Sequence, residues 1–288
     1  MRIGIIGVNG RLGQALLGAF AGYEVIGWTW ADFDTRDHVR TSEAILGASP
    51  DVIVNTAAFH NTDACEDDPD EAFAVNAIAV RNIAQACQRS HALLVHFSTD
   101  YVFDGRKDKP YEEGDRPNPL NVYGASKLAG EHFVAGICSQ YYIPRVASLF
   151  GAGGGATKRS FIEVMLGKAE RGEPLVVVDD VVMSPTYTED AAQTIRWLIE
   201  AHAPHGVYHV TNAGACTWYA FAVEVFRATG VQADLRPVTL ESFGAKAPRP
   251  RYSALASSAL ISAGLAPLRP WREALHTYLK TRSVKALA

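Results

Sequence analysis

The 288-residue sequence has few cysteines, no long apolar run and little excess charge. No window approaches the roughly 20 apolar residues that are needed to cross a bilayer. The formal net charge of -4 gives no general attraction to nucleic acid or to acidic membranes. The sequence also lacks internal repeats and low-complexity tracts. These absences leave an ordinary soluble globular protein as the predicted class.

The four cysteines are far apart and form no C-x-x-C pair. This spacing argues against a disulfide framework and against a zinc site, and it fits a reducing cytoplasm. The nine histidines show no metal-ligand spacing either, so we expect no resident metal. The N-terminal M-R-I-G-I-I-G predicts a buried strand that enters a turn, not a secretory signal. We therefore expect a cytoplasmic protein with four plain thiols, which are Cys65, Cys87, Cys138 and Cys216.

Apolar strand-like runs alternate with helical patterns in the first half of the chain. This alternation predicts an α/β fold with a doubly wound parallel sheet of the Rossmann type. A long amphipathic helix is predicted over residues 70–90. Its apolar face is predicted to hold Phe73, Ala77, Val80, Ile83, Ala84 and Cys87. The second half is less regular, and we expect it to add a smaller mixed α/β lobe.

A glycine triplet, G-V-N-G-R-L-G over residues 7–13, follows the first predicted strand and opens the first predicted helix. In this context the first glycine suits a tight turn, the second lets a pyrophosphate approach the backbone, and the third permits close helix–strand packing. The helix N-terminus presents N–H groups to phosphate. The motif therefore predicts a dinucleotide site. Its candidate cofactor-binding residues are Gly7, Asn9, Gly10, Arg11, Leu12 and Gly13.

Small and polar residues follow the third and fourth predicted strands. Ligands of an open parallel sheet bind beyond the carboxyl ends of its strands. After the third strand, N-T-A-A at 55–58 leaves room for an adenosine ribose and phosphates, which makes Ala57 and Ala58 candidates. After the fourth strand, the first polar residues of S-T-D-Y-V-F-D-G at 98–105 face the same cleft.

Tyr123 stands four residues before Lys127 in Y-G-A-S-K. Four residues is slightly more than one helical turn, so both side chains lie on one face of a predicted helix. A neighbouring ammonium lowers the pKa of a phenol because it favours the phenolate. With Thr99 the pair offers a hydroxyl, a phenol and an ammonium, a set suited to moving a proton. A plain surface pair is the alternative.

On these motifs the chain resembles extended short-chain dehydrogenase/reductases and, within them, the dTDP-4-dehydrorhamnose reductase family. The glycine motif and Y-x-x-x-K are typical of the whole superfamily. S-T-D-Y-V-F-D-G, S-P-T at 184–186 and the R-P-R-Y-S stretch at 249–253 are more specific to the reductase branch. The resemblance runs nearly end to end. It implies a Rossmann domain over 1–149 and 184–213, with a nucleotide-sugar lobe over 150–183 and 214–288.

The resemblance also implies an activity. NADPH, with NADH close behind, would reduce the 4-keto group of a dTDP-6-deoxy-4-keto sugar, most simply dTDP-4-dehydrorhamnose. Tyr123 would donate the proton, and Lys127 with the oxidised nicotinamide would lower its pKa by roughly three units, worth about 4 kcal/mol. Lys127 would also bind the nicotinamide ribose, and Asp34 the adenosine ribose. The implied catalytic residues are Thr99, Tyr123 and Lys127, and the implied substrate-binding residues are Thr99, Asp100, Phe103, Tyr123 and Arg249.

Several positions depart from the family pattern. Ser148 stands where many relatives have a tryptophan, which leaves the identity of the keto sugar open. Trp30 replaces an arginine that is common in NADP-binding relatives, while Arg11 offers a charge for a 2′-phosphate, so cofactor preference is also open. Lys158 and Arg159 follow a glycine-rich loop and are candidates for the sugar diphosphate.

Two other functions stay open. A dehydratase or epimerase commonly needs a second carboxylate beside the threonine, but Tyr101 stands there. A regulatory subunit that resembles the methionine adenosyltransferase beta subunit would bind NADP without reducing a sugar. The sequence leaves the oligomeric state open, a homodimer included, as well as any dependence on Mg²⁺.

Overall fold

The computed structural model describes residues 1–154 and 159–286. Its strands are β1 Arg2–Ile6, β2 Glu24–Trp28, β3 Val52–Asn55, β4 Leu93–His96, β5 Ser98–Thr99, β6 Tyr141–Val146, β7 Leu149–Phe150, β8 Leu175–Val178, β9 Val182–Met183, β10 Thr186–Tyr187, β11 Gly206–His209, β12 Cys216–Thr217 and β13 Leu235–Val238. Its α-helices are α1 Arg11–Ala19, α2 His38–Ala48, α3 Thr62–Asp67, α4 Pro69–Phe73, α5 Ala79–Ser90, α6 Val122–Ile137, α7 Phe161–Glu170, α8 Thr188–Glu200, α9 Trp218–Thr229, α10 Leu240–Phe243, α11 Ser258–Ser262 and α12 Trp271–Ala286.

A parallel sheet confirms the predicted Rossmann-type fold. Among the described residues, six strands run in the order β11-β6-β4-β3-β1-β2, and β5 also pairs with β6. Strands β3 and β4 are almost entirely buried because helices cover both faces of the sheet. One face packs on α1 and α8, and the other on α2, α5 and α6. The strand order reverses between β1 and β3, which is where a doubly wound sheet opens its ligand crevice.

A second apolar core lies outside this sheet. It joins α7, α9 and α12 with β8 and β10, and Trp271 and Phe221 are among its fully buried side chains. Leu260 of α11, which falls within the predicted sugar lobe, packs in the core of the main sheet and not in this second core. The predicted division into two domains stays a prediction.

The helix predicted over residues 70–90 is interrupted. A π-helical turn, Ala74–Ile78, separates α4 from α5. Val80 and Ile83 are buried as predicted, whereas Phe73 is 39% exposed, so its predicted place on the buried face is wrong. The wide turn holds one residue more than an α-helical turn, and it shifts the phase of the preceding residues. At this turn the buried side chain of Asn76 bonds the backbone N–H and C=O of Phe59, both at 2.9 Å.

The four cysteines are buried free thiols. Burial raises the pKa of Cys65 and Cys138 to about 11, so both are protonated and unreactive at neutral pH. Within residues 1–154 and 159–286, no helix is long and apolar enough to cross a membrane.

Candidate active site

The glycine turn lies at the carboxyl end of β1. Gly7 has φ 82°, a left-handed conformation that other residues rarely adopt. A Cβ on Gly13 would lie 2.5 Å from Gly7 O, so only glycine allows α1 to pack this close to the turn. Gly10 caps α1 without a side-chain hydrogen bond. The turn therefore fits the phosphates of a dinucleotide, which would meet the first backbone N–H groups of α1.

Arg11 contacts protein groups outside the glycine turn. Its guanidinium donates to the carbonyl oxygens of Gly151 (2.6 Å) and Gly153 (2.9 Å), and it lies 3.3 Å from Glu163 Oε2. Arg11 thus ties the loop after β7 and the first turn of α7 to α1. In the protein alone the guanidinium is thus engaged by protein groups, and the role of Arg11 at a 2′-phosphate stays a prediction. The Leu12 side chain lies in the core, which leaves its backbone as the part that faces a ligand.

Asp34 lies beyond β2 with an arginine against it. Arg36 Nε donates to both carboxylate oxygens, at 3.0 and 2.9 Å, and Arg36 Nη1 also donates to Glu71 at 2.7 Å. The hydrogen bonds from Arg36 hold the pKa of Asp34 below its usual value. The ribose role of Asp34 stays a prediction, and the structure adds a cation at the same place.

Lys127 is buried and points at the end of β4. Its Nζ donates to Phe97 O at 2.6 Å and lies 3.3 Å from His96 Nε2. Burial lowers the pKa of Lys127 to about 8, against an opposing effect of Glu131. Burial thus disfavours the charged ammonium relative to the neutral amine, and both forms are populated at a pH near 8.

Tyr123 lies one turn earlier on α6. Burial is the main cause that raises its pKa, the Asp100 carboxylate adds to the effect, and a hydrogen bond with Thr99 opposes it. The expectation that Lys127 leaves Tyr123 with a lowered pKa is therefore wrong for the protein alone. Desolvation of the phenolate is the largest effect, so the phenol keeps its proton at neutral pH.

Asp100 stands directly behind Thr99. Its two carboxylate oxygens accept from Thr99 Oγ1 (3.0 Å) and from Ser253 Oγ (2.5 Å). Only 3% of Asp100 is exposed, which argues against direct contact with substrate, and its predicted substrate role stays untested. Its carboxylate instead fixes the hydroxyl of Thr99, and Ser253 brings the R-P-R-Y-S stretch to this site.

Phe103 lies in the protein core. It is fully buried, stacks on Tyr111 with ring centroids 4.2 Å apart, and lies under the Arg145 guanidinium. It packs in an apolar cluster with Val102 and Leu255. The short 3₁₀ turn that follows β5 directs the ring into the core, which argues against the substrate role predicted for Phe103, and that role stays untested.

Arg249 lies beside the site, as a diphosphate ligand would. Its Nη2 is 3.2 Å from Asp63 Oδ2, and its buried Nε has no hydrogen-bond partner among the described residues. Burial raises the pKa of Tyr101, and the charge of Arg249 opposes this rise. The ring of Tyr101 meets that of Tyr123 edge-on at 6.1 Å. The substrate role of Arg249 stays a prediction. Lys158 lies outside the described residues, and Arg159 is exposed.

Burial raises the pKa of Asp100 to about 6. A carboxyl group with a raised pKa binds its proton more tightly in the folded state, so the folded state loses stability as pH rises from about 4 to 6. The difference of roughly two units corresponds to about 3 kcal/mol. We expect Asp100→Asn to remove this loss, as measured by urea unfolding between pH 4 and 7.5.

Asp32 provides the control for this experiment. It is exposed, and hydrogen bonds from Thr29 lower its pKa, so Asp32→Asn should change the pH dependence in the opposite sense. An Asp100→Asn variant whose stability follows the wild-type pH curve would contradict the raised pKa.

Sequence reasoning missed three residues of the site. His96 had a signal in the form of a histidine that ends an apolar strand, and it contacts Lys127. Arg36 had a signal in the opposite charge two residues before it. Ser253 had a signal as the last residue of R-P-R-Y-S, but its partner Asp100 lies 153 residues away and could not be inferred.

Comparisons with known proteins agree with this geometry. The family model described as "RmlD substrate binding domain" matches residues 1–284. The spore coat polysaccharide biosynthesis protein SpsK of Bacillus subtilis is 40% identical over 97% of both chains. The dTDP-4-dehydrorhamnose reductase of Mycolicibacterium smegmatis is 37% identical over 95% of this chain and 84% of its own.

A solved structure is similar as well. The crystal structure of dTDP-4-dehydrorhamnose reductase from Bacillus anthracis in complex with NADP is 35% identical, with a TM-score of 0.93 over 97% of this chain and 99% of its own. The glycine turn, the Thr99–Tyr123–Lys127 set and the match over nearly the whole length agree, and the chain belongs to the RmlD substrate-binding-domain family of the extended short-chain dehydrogenase/reductases.

Proposed function

We propose that this protein reduces the 4-keto group of a dTDP-6-deoxy-4-keto sugar, dTDP-4-dehydrorhamnose to dTDP-L-rhamnose, with NADPH. The observation that carries the proposal is the phenol of Tyr123, which lies beside Thr99 and one helical turn before the buried Lys127. The glycine turn at the end of β1 supports the cofactor, and the relatives' names support the sugar.

The chemistry at the site follows from these residues. When bound, the nicotinamide supplies a hydride for the carbonyl carbon. Asp100 accepts the hydroxyl hydrogen of Thr99 in the free protein and so holds that hydroxyl in place. To bind the carbonyl oxygen, Thr99 turns this hydrogen from Asp100 to the substrate. Tyr123 then gives its proton to the oxygen as negative charge develops there. A proton on Lys127 favours the phenolate that is left behind.

The position of Arg36 beside Asp34 predicts that this arginine contributes to the preference for NADPH over NADH. Arg36→Ala would remove a cation beside Asp34 and leave that carboxylate to repel a 2′-phosphate. We expect the KM for NADPH to rise by about tenfold, a loss of about 1.4 kcal/mol in binding, while the KM for NADH changes little. Steady-state kinetics with both cofactors measures this.

Arg40 gives the matched control, since it lies four residues further along the chain, on α2, and its side chain is 72% exposed. Arg40→Ala should leave both KM values unchanged. Equal losses for NADPH and NADH in Arg36→Ala would contradict a role at the 2′-phosphate.

The function is tested by cofactor oxidation with dTDP-4-dehydrorhamnose, followed by the loss of nicotinamide absorbance and by identification of the sugar product. dTDP-L-rhamnose is the expected product. A folded protein that binds NADPH but oxidises none of it with this sugar would reject rhamnose formation. Other dTDP-4-keto sugars are then tested, because Ser148 with its left-handed φ of 46° replaces the tryptophan of many relatives.

The regulatory-subunit alternative has a separate signature. Inactivity on every keto sugar, together with copurification of a partner protein, would favour it over the reductase. The cytoplasmic location and a homodimer also stay predictions, which fractionation of cells and analytical ultracentrifugation test.

A further inference from the structure

Two buried strand-end side chains stand behind Lys127 in a chain of hydrogen bonds. Asn55 ends β3 and His96 ends β4, and the two residues are paired in the parallel register. His96 is fully buried. Its Nδ1 lies 3.2 Å from Asn55 Nδ2, and its Nε2 lies 3.3 Å from Lys127 Nζ. Each imidazole nitrogen thus faces one partner, and the donor of each pair can be derived.

A backbone N–H group determines which atom donates in each of these hydrogen bonds. The N–H of Ala57 can only donate, and it lies 3.1 Å from Asn55 Oδ1. The amide NH₂ of Asn55 therefore faces His96, and an NH₂ group also only donates. His96 Nδ1 must accept, so a neutral imidazole carries its proton on Nε2. The reversed amide would set two N–H donors against each other at Ala57 and leave them unsatisfied in the interior.

The consequence falls on Lys127. An Nε2–H donor faces its Nζ, and Nζ accepts a hydrogen bond only as an uncharged amine, because an ammonium has no lone pair. The amine still donates to Phe97 O at 2.6 Å. The imidazole itself stays neutral, since burial lowers the pKa of His96 well below its ordinary value.

We infer that Asn55 locks His96 in the Nε2–H tautomer, and that this tautomer favours the uncharged amine of Lys127 over its ammonium. Asn55 and His96 then act on the reaction through Lys127, because they lower the pH at which its ammonium loses a proton. The inference deepens the proposed function, on which its kinetic consequence rests. Among the described residues, Glu131 on α6 is a charged group that acts on Lys127; it favours the ammonium and is itself paired with Arg145 at 2.6 Å.

His209 provides an internal reference with the opposite pattern. Its Nδ1 lies 3.0 Å from two carbonyl oxygens, those of Tyr111 and Ala256, so Nδ1 must carry the proton. Its Nε2 is left to accept, and it lies 3.4 Å from Nη1 of Arg145, a permanent cation. His209 thus presents the lone pair of Nε2 to the Arg145 cation, whereas His96 presents an Nε2–H group to Lys127.

The first test is ¹⁵N NMR of the full chain with labelled histidines, without cofactor or substrate at neutral pH. Two buried neutral imidazoles of opposite tautomer are expected, His209 as Nδ1–H and His96 as Nε2–H. Substitution of each residue by glutamine assigns the signals. His96 observed as Nδ1–H, or as a charged imidazolium, would overturn the inference.

The Asn55→Asp variant should reverse the hydrogen bond with His96, because a carboxylate accepts where the Asn55 amide group donates. The new carboxylate still accepts from Ala57 and now also accepts from His96, which should switch to Nδ1–H. Lysine NMR should then show the titration midpoint of Lys127 raised by at least about one unit, and the alkaline limb of kcat should move to higher pH. A raised midpoint with His96 still Nε2–H would reject the tautomer as the cause.

The two proposals fail separately. If the variant does not fold, the wild-type spectrum alone decides the tautomer. If the wild type reduces no keto sugar, the proposed function fails while both NMR readouts stand.

Discussion

Tyr123→Phe is expected to lower kcat for keto-sugar reduction by about 10³-fold, the range found when a general acid is removed. The phenol is the proton donor at the carbonyl oxygen, and its raised pKa keeps it protonated across the neutral range. Phenylalanine keeps the ring that meets Tyr101 edge-on at 6.1 Å. The KM for NADPH should therefore change little, and steady-state kinetics separates the two effects.

Tyr101→Phe is the control, because it removes a hydroxyl from the neighbouring ring without touching the proton donor. It should cost less than about tenfold in kcat, below the effect of losing a general acid. A Tyr123→Phe enzyme that keeps a tenth or more of the wild-type kcat would assign the proton to another group.

Arg145→Met is expected to cost about 3–5 kcal/mol of unfolding free energy, since it leaves the carboxylate of Glu131 buried and unpaired. Arg145 and Glu131 are 3% and 4% exposed, and they form two hydrogen bonds at 2.9 and 2.6 Å. Urea unfolding at pH 7.5 measures the loss as a shift of the midpoint at constant slope.

The double variant Glu131→Leu with Arg145→Met tests the cause. Removal of both charges should restore part of the lost stability, because an apolar pair can replace a buried ion pair. A double variant as unstable as Arg145→Met would place the effect in lost packing against Phe103, which lies 5.2 Å below the guanidinium.

The sheet and the glycine turn could be predicted because their signals are local. Each strand of the first half is an apolar run, and Gly7 and Gly13 have the geometry that their spacing indicates. The Tyr123/Lys127 pair follows from helical periodicity in the same way. These features depend on neighbours within a few residues, which a sequence displays directly.

The sequence does not display long-range contacts or burial. Arg11 is held by groups about 140 residues away, and Asp100 by Ser253. Phe103 packs inward, and desolvation raises the pKa of Tyr123 above its ordinary value. A motif names the residues of a site, but burial sets their protonation states and determines which of them can touch a ligand.

The π-helical turn Ala74–Ile78 accommodates one extra residue between α4 and α5, so that both helices keep their buried faces despite it. Deleting one residue within α5 would rotate the rest of that helix by about 100° and carry Ile83 out of the core. Deleting one within the π turn would restore ordinary α-helical bonding and leave both faces where they are. The loss would fall on Asn76, which also donates to Ser126 beside Lys127. Insertions and deletions are therefore tolerable here for the fold, and selection for the site is what would keep the extra residue.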